Sequence, residues 1–326
     1  MSAEIDALMR AYDGAVPGAS VVVLRDGETE VRCSYGLSDL ELGIAATPAT
    51  NYRLASLTKQ FTAAAVLLLA DDGLLSLDAP ARRWLPSLPP AAAGVTIRQL
   101  LTHRSGLIDY EDVIPAGMTA QLRDADVLGI LASHDRTYFA PGTGYRYSNS
   151  GYAMLALIVE RASGQSFASF LRERIFTPLG MSGTVAHEEG ISNVAHRAFG
   201  YSETAGGWVR TDQSQTSAVL GDGGIYSSSV DLAKWDAALH ENRLLRPESL
   251  RLAFTAATPT DDPAVGYGYG WRITGDTAWH SGETIGFRNV IVRSRERRFT
   301  VIVLTNRNYG EPYTTAVAIA RLYGRA

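Results

Sequence analysis

Cysteine and lysine are the scarce residues of this chain. Cys33 is the one cysteine, which excludes an internal disulfide and any two-cysteine metal knuckle. Lysine occurs only as Lys59 and Lys234 among 30 basic side chains, so a position that uses lysine instead of arginine invites a chemical reason. An excess of positive charge is missing too: the formal net charge of −4 and sequence pI near 5.9 argue against nucleic acid or an anionic membrane as the main partner. The longest apolar run, Phe61 to Ala70, is about half of the ~20 residues needed to span a bilayer, so no membrane span is expected. No basic region precedes an apolar run at the start, so a cytoplasmic location is expected for the chain as written, or a periplasmic or secreted one if a leader was removed.

Several familiar motifs are also lacking. His187-Glu188 and His240-Glu241 have no second histidine for HExxH, and no GxSxG elbow is present. Gly266 to Gly270 is followed by no helical pattern, unlike a dinucleotide loop. No metal or cofactor is expected, and His103, His134, His187, His196 and His240 read as satisfied core or surface histidines. Small-molecule chemistry is the prior that survives.

The 326 residues are 46% hydrophobic, enough for a substantial core in one large domain or two lobes. Apolar spacing predicts a helix from Ile5 to Tyr12. A hairpin follows, with strands Gly18 to Leu24 and Glu28 to Tyr35 around Asp26-Gly27. A helix is expected from Leu57 to Ala70 and a short one from Thr96 to Thr102. Helical spacing then recurs over 119–134, 152–163 and 166–176. Beyond Pro263 the β-branched runs Asn289 to Val292 and Phe299 to Thr305 form a second hairpin, with Arg293 to Arg298 as its solvated tip, and 314–323 closes as a helix. Trp271 and Trp279 fit either a pocket wall or the core. Strands from both ends with helices between predict an α/β fold in which one sheet is built by 1–60 and 265–326, and 61–264 is an inserted, mostly helical lobe.

Three short stretches carry the chemistry. Ser56 and Lys59 are three apart at the mouth of a helix, so they share a face and can touch. A serine becomes a nucleophile when a base takes its proton, and lysine, unlike arginine, serves as one once its pKa falls from ~10.4. Tyr147 and Asn149 lie two apart after the loop 140–144, where a phenol could shuttle a proton and an amide could orient the lysine or hold a carbonyl. His280-Ser281-Gly282 sits on an expected strand, and its glycine allows close approach to the backbone.

In order and spacing these stretches resemble the SxxK, YxN and KTG-type triplet of the penicillin-recognising serine hydrolases. The YxN form points to the branch holding class C β-lactamases, DD-carboxypeptidases, β-lactamase-like esterases and D-aminopeptidases. Leu100 to Leu107 and Gly223 to Ser228 also look like this family, and the resemblance covers nearly the whole chain. It implies a β-lactamase/transpeptidase-like fold with an antiparallel sheet flanked by helices. It also implies Ser56 as acylated nucleophile, Lys59 as base, Tyr147 as proton shuttle and Asn149 as the residue holding substrate and lysine. By the same resemblance the backbone N–H groups of Ser56 and Glu283 form the oxyanion hole, and His280, Ser281 and Gly282 border the substrate.

One departure bears on substrate. His280 stands where β-lactamases and carboxypeptidases usually carry lysine, and a neutral imidazole anchors a carboxylate poorly. The expected activity is therefore an esterase on small carboxylic esters, with D-aminopeptidase, DD-peptidase or weak β-lactamase action as the alternative. A catalytically silent binding member is the reading from another class. The partner is a small ester, amide or lactam substrate, and Glu283 could select a cationic amine. Oligomeric state is left open by the sequence.

Overall fold

The computed structural model describes residues 2–324. Helix α1 (Ser2–Leu8) leads into strands β1 (Ala19–Arg25) and β2 (Glu28–Tyr35). Asp26 (φ 53°) and Gly27 (φ 87°) both take the left-handed conformation that a tight two-residue hairpin turn demands, which is why Asp-Gly stands there. The chain returns to the same sheet late, through β3 (Thr258–Pro259), β4 (Gly266–Tyr267), β5 (Arg272–Thr274), β6 (Thr277–Thr284), β7 (Phe287–Ser294) and β8 (Phe299–Thr305).

All eight strands join in the order β3-β4-β5-β6-β7-β8-β1-β2. The seam between the chain's two ends is antiparallel, Ala19 opposite Thr305 through Arg25 opposite Phe299. The α/β class is as expected, and the two ends of the chain meet in this one sheet. The sheet takes in Thr258–Pro259 as well, a little before the expected boundary at 265.

The helices between are α2 (Lys59–Asp71), α3 (Ile97–Leu101), α4 (Asp124–Ala132), α5 (Asn149–Ser163), α6 (Phe167–Leu171), α7 (Leu220–Gly223), α8 (Ser229–Glu241) and α9 (Pro247–Ala253), with α10 (Pro312–Leu322) last. Buried α2 and α5 form the centre of the larger core, to which Val22, Ile291 and Ile302 contribute from the sheet. Residues of the opposite face, such as Val21, Val290 and Val303, pack in a second core with Ile5, Ala316 and Ile319. The alternation of Val21 and Val22 between the two cores is the period-two pattern of a strand buried on both faces.

Three differences have local causes. The helix expected over 119–134 starts only at Asp124, whose carboxylate instead accepts the Leu220 and Gly221 N–H groups at 2.9 and 3.0 Å. The 166–176 helix loosens after Leu171 into a π-turn, Arg172–Phe176. Arg293 is no part of a solvated tip: it is 2% exposed and its Nε lies 2.9 Å from Asp236 of α8. Trp271 is core, stacked on Phe254, whereas half-buried Trp279 stacks on Tyr313 with ring centroids 4.4 Å apart.

Candidate active site

The turn that carries Ser56 is tighter than an α-helix. Ala55–Thr58 is a 3-10 turn that continues into α2, and Ala55 holds φ 51°, an uncommon conformation for a residue with a β-carbon. A 3-10 turn eclipses side chains three apart. Lys59 Nζ accordingly reaches Ser56 Oγ at 2.9 Å, and Lys59 itself is fully buried.

The same Nζ lies 2.8 Å from Asn149 Oδ1 and 3.0 Å from the Asp222 carbonyl oxygen. Both of those oxygens can only accept, so they claim two N–H bonds of the lysine. A hydroxyl can donate or accept, and Ser56 is therefore the partner with which the third position can exchange a proton. Asn149 is fixed in its orientation because its Nδ2 donates to Glu111 Oε1 at 3.1 Å. Asn149 is also the first residue of α5, capped by Ser148, and its N–H donates to Asp109 Oδ2 at 2.7 Å.

Tyr147 places its ring centroid 5.0 Å from Lys59 Nζ. Behind it the rings of His103 and Tyr267 pack at 4.3 and 6.3 Å from its own. His280 belongs to this aromatic wall, away from the open cleft. It is 1% exposed, its Nε2 is 3.0 Å from the Tyr267 hydroxyl, and its Nδ1 donates to the Ser281 carbonyl. Burial, with Arg272 and Lys59 nearby, pushes the His280 imidazole well below its ordinary range, so it is neutral.

Along β6 the side chains alternate, so Gly282 shares the inner face with His280 while Trp279, Ser281 and Glu283 face outward. Gly282 is required by proximity, since a β-carbon there would collide with the carbonyl oxygen of Leu54, two residues before Ser56. Ser281 lines a separate groove of about 560 Å³ with Trp279, Arg288 and Tyr313. Glu283 borders both that groove and the cleft of Ser56. Thus Ser56, Asn149 and Glu283 meet in one cleft, Lys59 and Tyr147 lie beneath and beside it, and the His280 and Ser281 side chains stand apart.

The cleft measures about 280 Å³ and adds Tyr110, Glu111, Asp222 and Arg53 to the lining. Arg53 directs its donors to Ser217 and the Gly223 carbonyl, neutral partners that leave it the buried cation of a wall otherwise carrying the carboxyl groups of Glu111, Asp222 and Glu283. Burial raises Asp222 to about 8, and the Tyr110 hydroxyl donates to its Oδ2 at 2.9 Å. Burial and the neighbouring Asp109 raise Glu111 as well. These carboxylates escaped the sequence reading. The Gly221-Asp222-Gly223-Gly224 run was the available signal: a β-carbon at Gly221 would strike the Tyr152 carbonyl, so the glycine lets α7 lie against α5 and deliver Asp222 to Lys59. Among the described residues no group of three or more histidine, cysteine or acidic side chains is placed to hold a metal ion.

Comparison with known proteins gives the family and the fold. Residues 3–325 match the Beta-lactamase family. A penicillin-binding protein of Bacillus subtilis (strain 168) is 32% identical over 320 residues, covering 91% of this chain and 70% of the relative. A D-aminopeptidase of Gluconobacter oxydans (strain 621H) is 30% identical over 332 residues, covering 99% of this chain and 62% of the relative, so the chain spans less than two thirds of that protein's length. Among solved structures, the D-amino acid amidase of Ochrobactrum anthropi SV3 with D-phenylalanine superposes with TM-score 0.85 at 25% identity over 99% of each chain. The penicillin-binding protein homologue of Pyrococcus abyssi gives TM-score 0.86 at 28% identity, over 99% of this chain and 77% of that one. With its antiparallel sheet and its serine and lysine in contact at the first turn of α2, the chain belongs to the β-lactamase family of serine hydrolases.

Proposed function

We propose that the protein is a serine acyl hydrolase that works through an acyl-enzyme on Ser56 and cleaves small carboxylic esters. The observation that carries this reading is the three-bonded amine of Lys59, two of whose partners can only accept a hydrogen bond from it. Ser56 Oγ attacks the acyl carbon as its proton passes to Lys59 Nζ. Tyr147, whose ring lies against that amine, returns the proton to the leaving alcohol as the ester bond breaks. The main-chain N–H groups of Ser56 and Glu283 receive the oxyanion, and water then releases the acid and frees Ser56.

His280 has both ring nitrogens occupied and is neutral, and it stands apart from the cleft of Ser56. A substrate carboxylate finds no cation at the His280 position, and the donors of Arg53 in the cleft already engage Ser217 and Gly223, which disfavours penicillins and peptide C-termini. The second reading, action on amides or esters of amino acids with a free amine, is favoured by Glu111. Its carboxylate is held beside Asn149 at the cleft, where an ammonium group would relieve the repulsion with Asp109. A D-aminopeptidase and a D-amino acid amidase among the relatives support including D-amino-acid substrates in that class.

Intact-mass analysis after exposure to a fluorophosphonate tests the nucleophile: one adduct is expected on the wild-type chain and none on Ser56→Ala. Labelling that persists in the variant would refute the assignment. A panel of p-nitrophenyl acetate, D-phenylalanine amide, its N-acetyl derivative and nitrocefin then orders the substrates. Nitrocefin turnover rivalling that of the ester would overturn the ester reading, and loss of amide cleavage on N-acetylation would establish amine recognition.

A further inference from the structure

The stretch after α3, Thr102 to Glu111, runs alongside residues 138–150 and holds that loop from end to end. The Gly106 carbonyl accepts the Tyr138 N–H at 2.7 Å, the Arg104 carbonyl accepts the Gly142 N–H at 2.8 Å, and the His103 carbonyl accepts the Arg146 N–H at 3.0 Å. Asp109 Oδ2 takes the Asn149 N–H, and Tyr110 donates its own N–H to Ser150 Oγ at 2.8 Å. Between these, Ser148 donates its N–H to His103 Nδ1 at 3.1 Å. Ser148 is the residue between Tyr147 and Asn149. The His103 imidazole therefore holds the middle peptide of the turn that presents both side chains to Lys59, and Asp109 holds the next.

Three features set His103 apart from a core histidine that merely fills space. It is 1% exposed and adopts φ 57°, so the backbone is strained to aim this ring. Its ring stacks on Tyr147 at 4.3 Å while the same ring grips the next residue's N–H. Because Nδ1 accepts, the ring proton belongs to Nε2, which has no hydrogen-bond partner among the described residues. Burial beside Lys59, His280 and Arg272 keeps the ring neutral, the form in which Nδ1 can accept.

We propose that His103 is a positioning residue for the acyl transfer, with its Nδ1 fixing the Tyr147-Ser148-Asn149 turn against Lys59. The proposal rests on the acyl-enzyme reading. A misplacement of about 1 Å in a reacting constellation can lower rate about 100-fold, which is the kind of loss that slackening this turn would produce.

The test compares two amides that differ in reach. In His103→Asn the side-chain carbonyl can stand where Nδ1 stood, and asparagine also tolerates the left-handed backbone. In His103→Gln the carbonyl lies one atom further out, near the Nε2 position. Fluorophosphonate labelling rates at Ser56 and the steady-state constants for p-nitrophenyl acetate are measured per folded molecule, with folding followed by circular dichroism. The Asn variant is expected within about tenfold of wild type. The Gln variant is expected to fall about 100-fold in labelling rate and kcat with little change in KM. Equal rates in the two variants, a Gln variant faster than Asn, or a loss in KM alone would overturn the positioning role. Should either variant fail to fold, the other decides: Gln at wild-type rate, or folded Asn at a 100-fold loss, would also overturn it. Absence of wild-type labelling would instead strike the acyl-enzyme reading itself.

Discussion

The carbonyl oxygen of Leu54 occupies the space that a β-carbon on Gly282 would need. Strand β6 is thereby pressed against the 3-10 turn bearing Ser56, and the distance between strand and nucleophile is set by a missing methyl group. In Gly282→Ala either the strand or the turn must withdraw. Over-packing of this kind costs about 1–3 kcal/mol of stability. The displacement falls on the proposed oxyanion site, so kcat for p-nitrophenyl acetate is expected to drop about 100-fold, as when one oxyanion donor is lost. Urea melts and steady-state kinetics on the one variant check both figures.

Asn149 divides its amide between two partners of opposite charge, the oxygen towards Lys59 and the nitrogen towards Glu111. Asn149→Asp removes the donor and sets a carboxylate against Glu111. The expected outcome is slower labelling of Ser56 by fluorophosphonate, by about tenfold or more, because general-base transfer depends on placement of the amine. Glu111→Gln in the same background is expected to restore part of the rate by removing the like charge. Rate measurements on the two single variants and the double variant test the coupling.

Ser56 and Lys59 were legible in the sequence because their contact is local, one helical turn apart, and needs no knowledge of the fold. The terminal strands were legible for a similar reason: Asp26-Gly27 and the β-branched runs declare themselves within a few residues. What the sequence hid is convergence over distance. Asp222 meets Lys59 across 163 positions and Asp109 meets Asn149 across 40, and no periodicity connects them. His103 reads in sequence as a satisfied core or surface histidine, since its bond is to a backbone N–H, which every residue but proline carries. Arg293 reads as solvated because its charged neighbours along the chain are at the hairpin tip, while its partner Asp236 is contributed by α8.

Asp222 gives the fold a pH dependence of definite sign. Burial lifts its carboxyl from the ordinary 3.8 to about 8, so the native state keeps a proton that the unfolded chain releases above pH 4. At this carboxyl the native protein then binds more protons between those values, so its own contribution to stability falls as pH rises from 4 towards 8, while buried His103 and His280, neutral in the native state, contribute the opposite slope below about pH 6.5. Asp124, raised to about 7 by burial, adds a slope of the same sign as Asp222. In Asp222→Asn the amide oxygen can still accept from Tyr110, and titration at this position is abolished. In denaturant melts at pH 5 and pH 8 the variant is expected to gain stability relative to the wild-type chain as pH rises, because the contributions of Asp124 and the buried histidines are common to both and cancel in the difference.

Arg293 and Asp236 pair inside the protein, each 2% exposed at the side chain, with Thr300 Oγ1 donating to the same Asp236 oxygen at 3.0 Å. Desolvation of two charges offsets most of their attraction, so the pair itself adds little net stability. Removing one partner is a different matter. Asp236→Leu leaves the Arg293 guanidinium buried with its charge uncompensated and is expected to cost about 3–5 kcal/mol. The double variant Asp236→Leu/Arg293→Met buries apolar side chains of comparable length and should recover most of that loss, apart from about 1 kcal/mol for the stranded Thr300 hydroxyl. A double-mutant cycle read by urea denaturation decides the matter. If the double variant proves less stable than Asp236→Leu alone, the ion pair is not the source of the single variant's loss, and the contact of the guanidinium with the Phe254 and Trp271 rings takes its place.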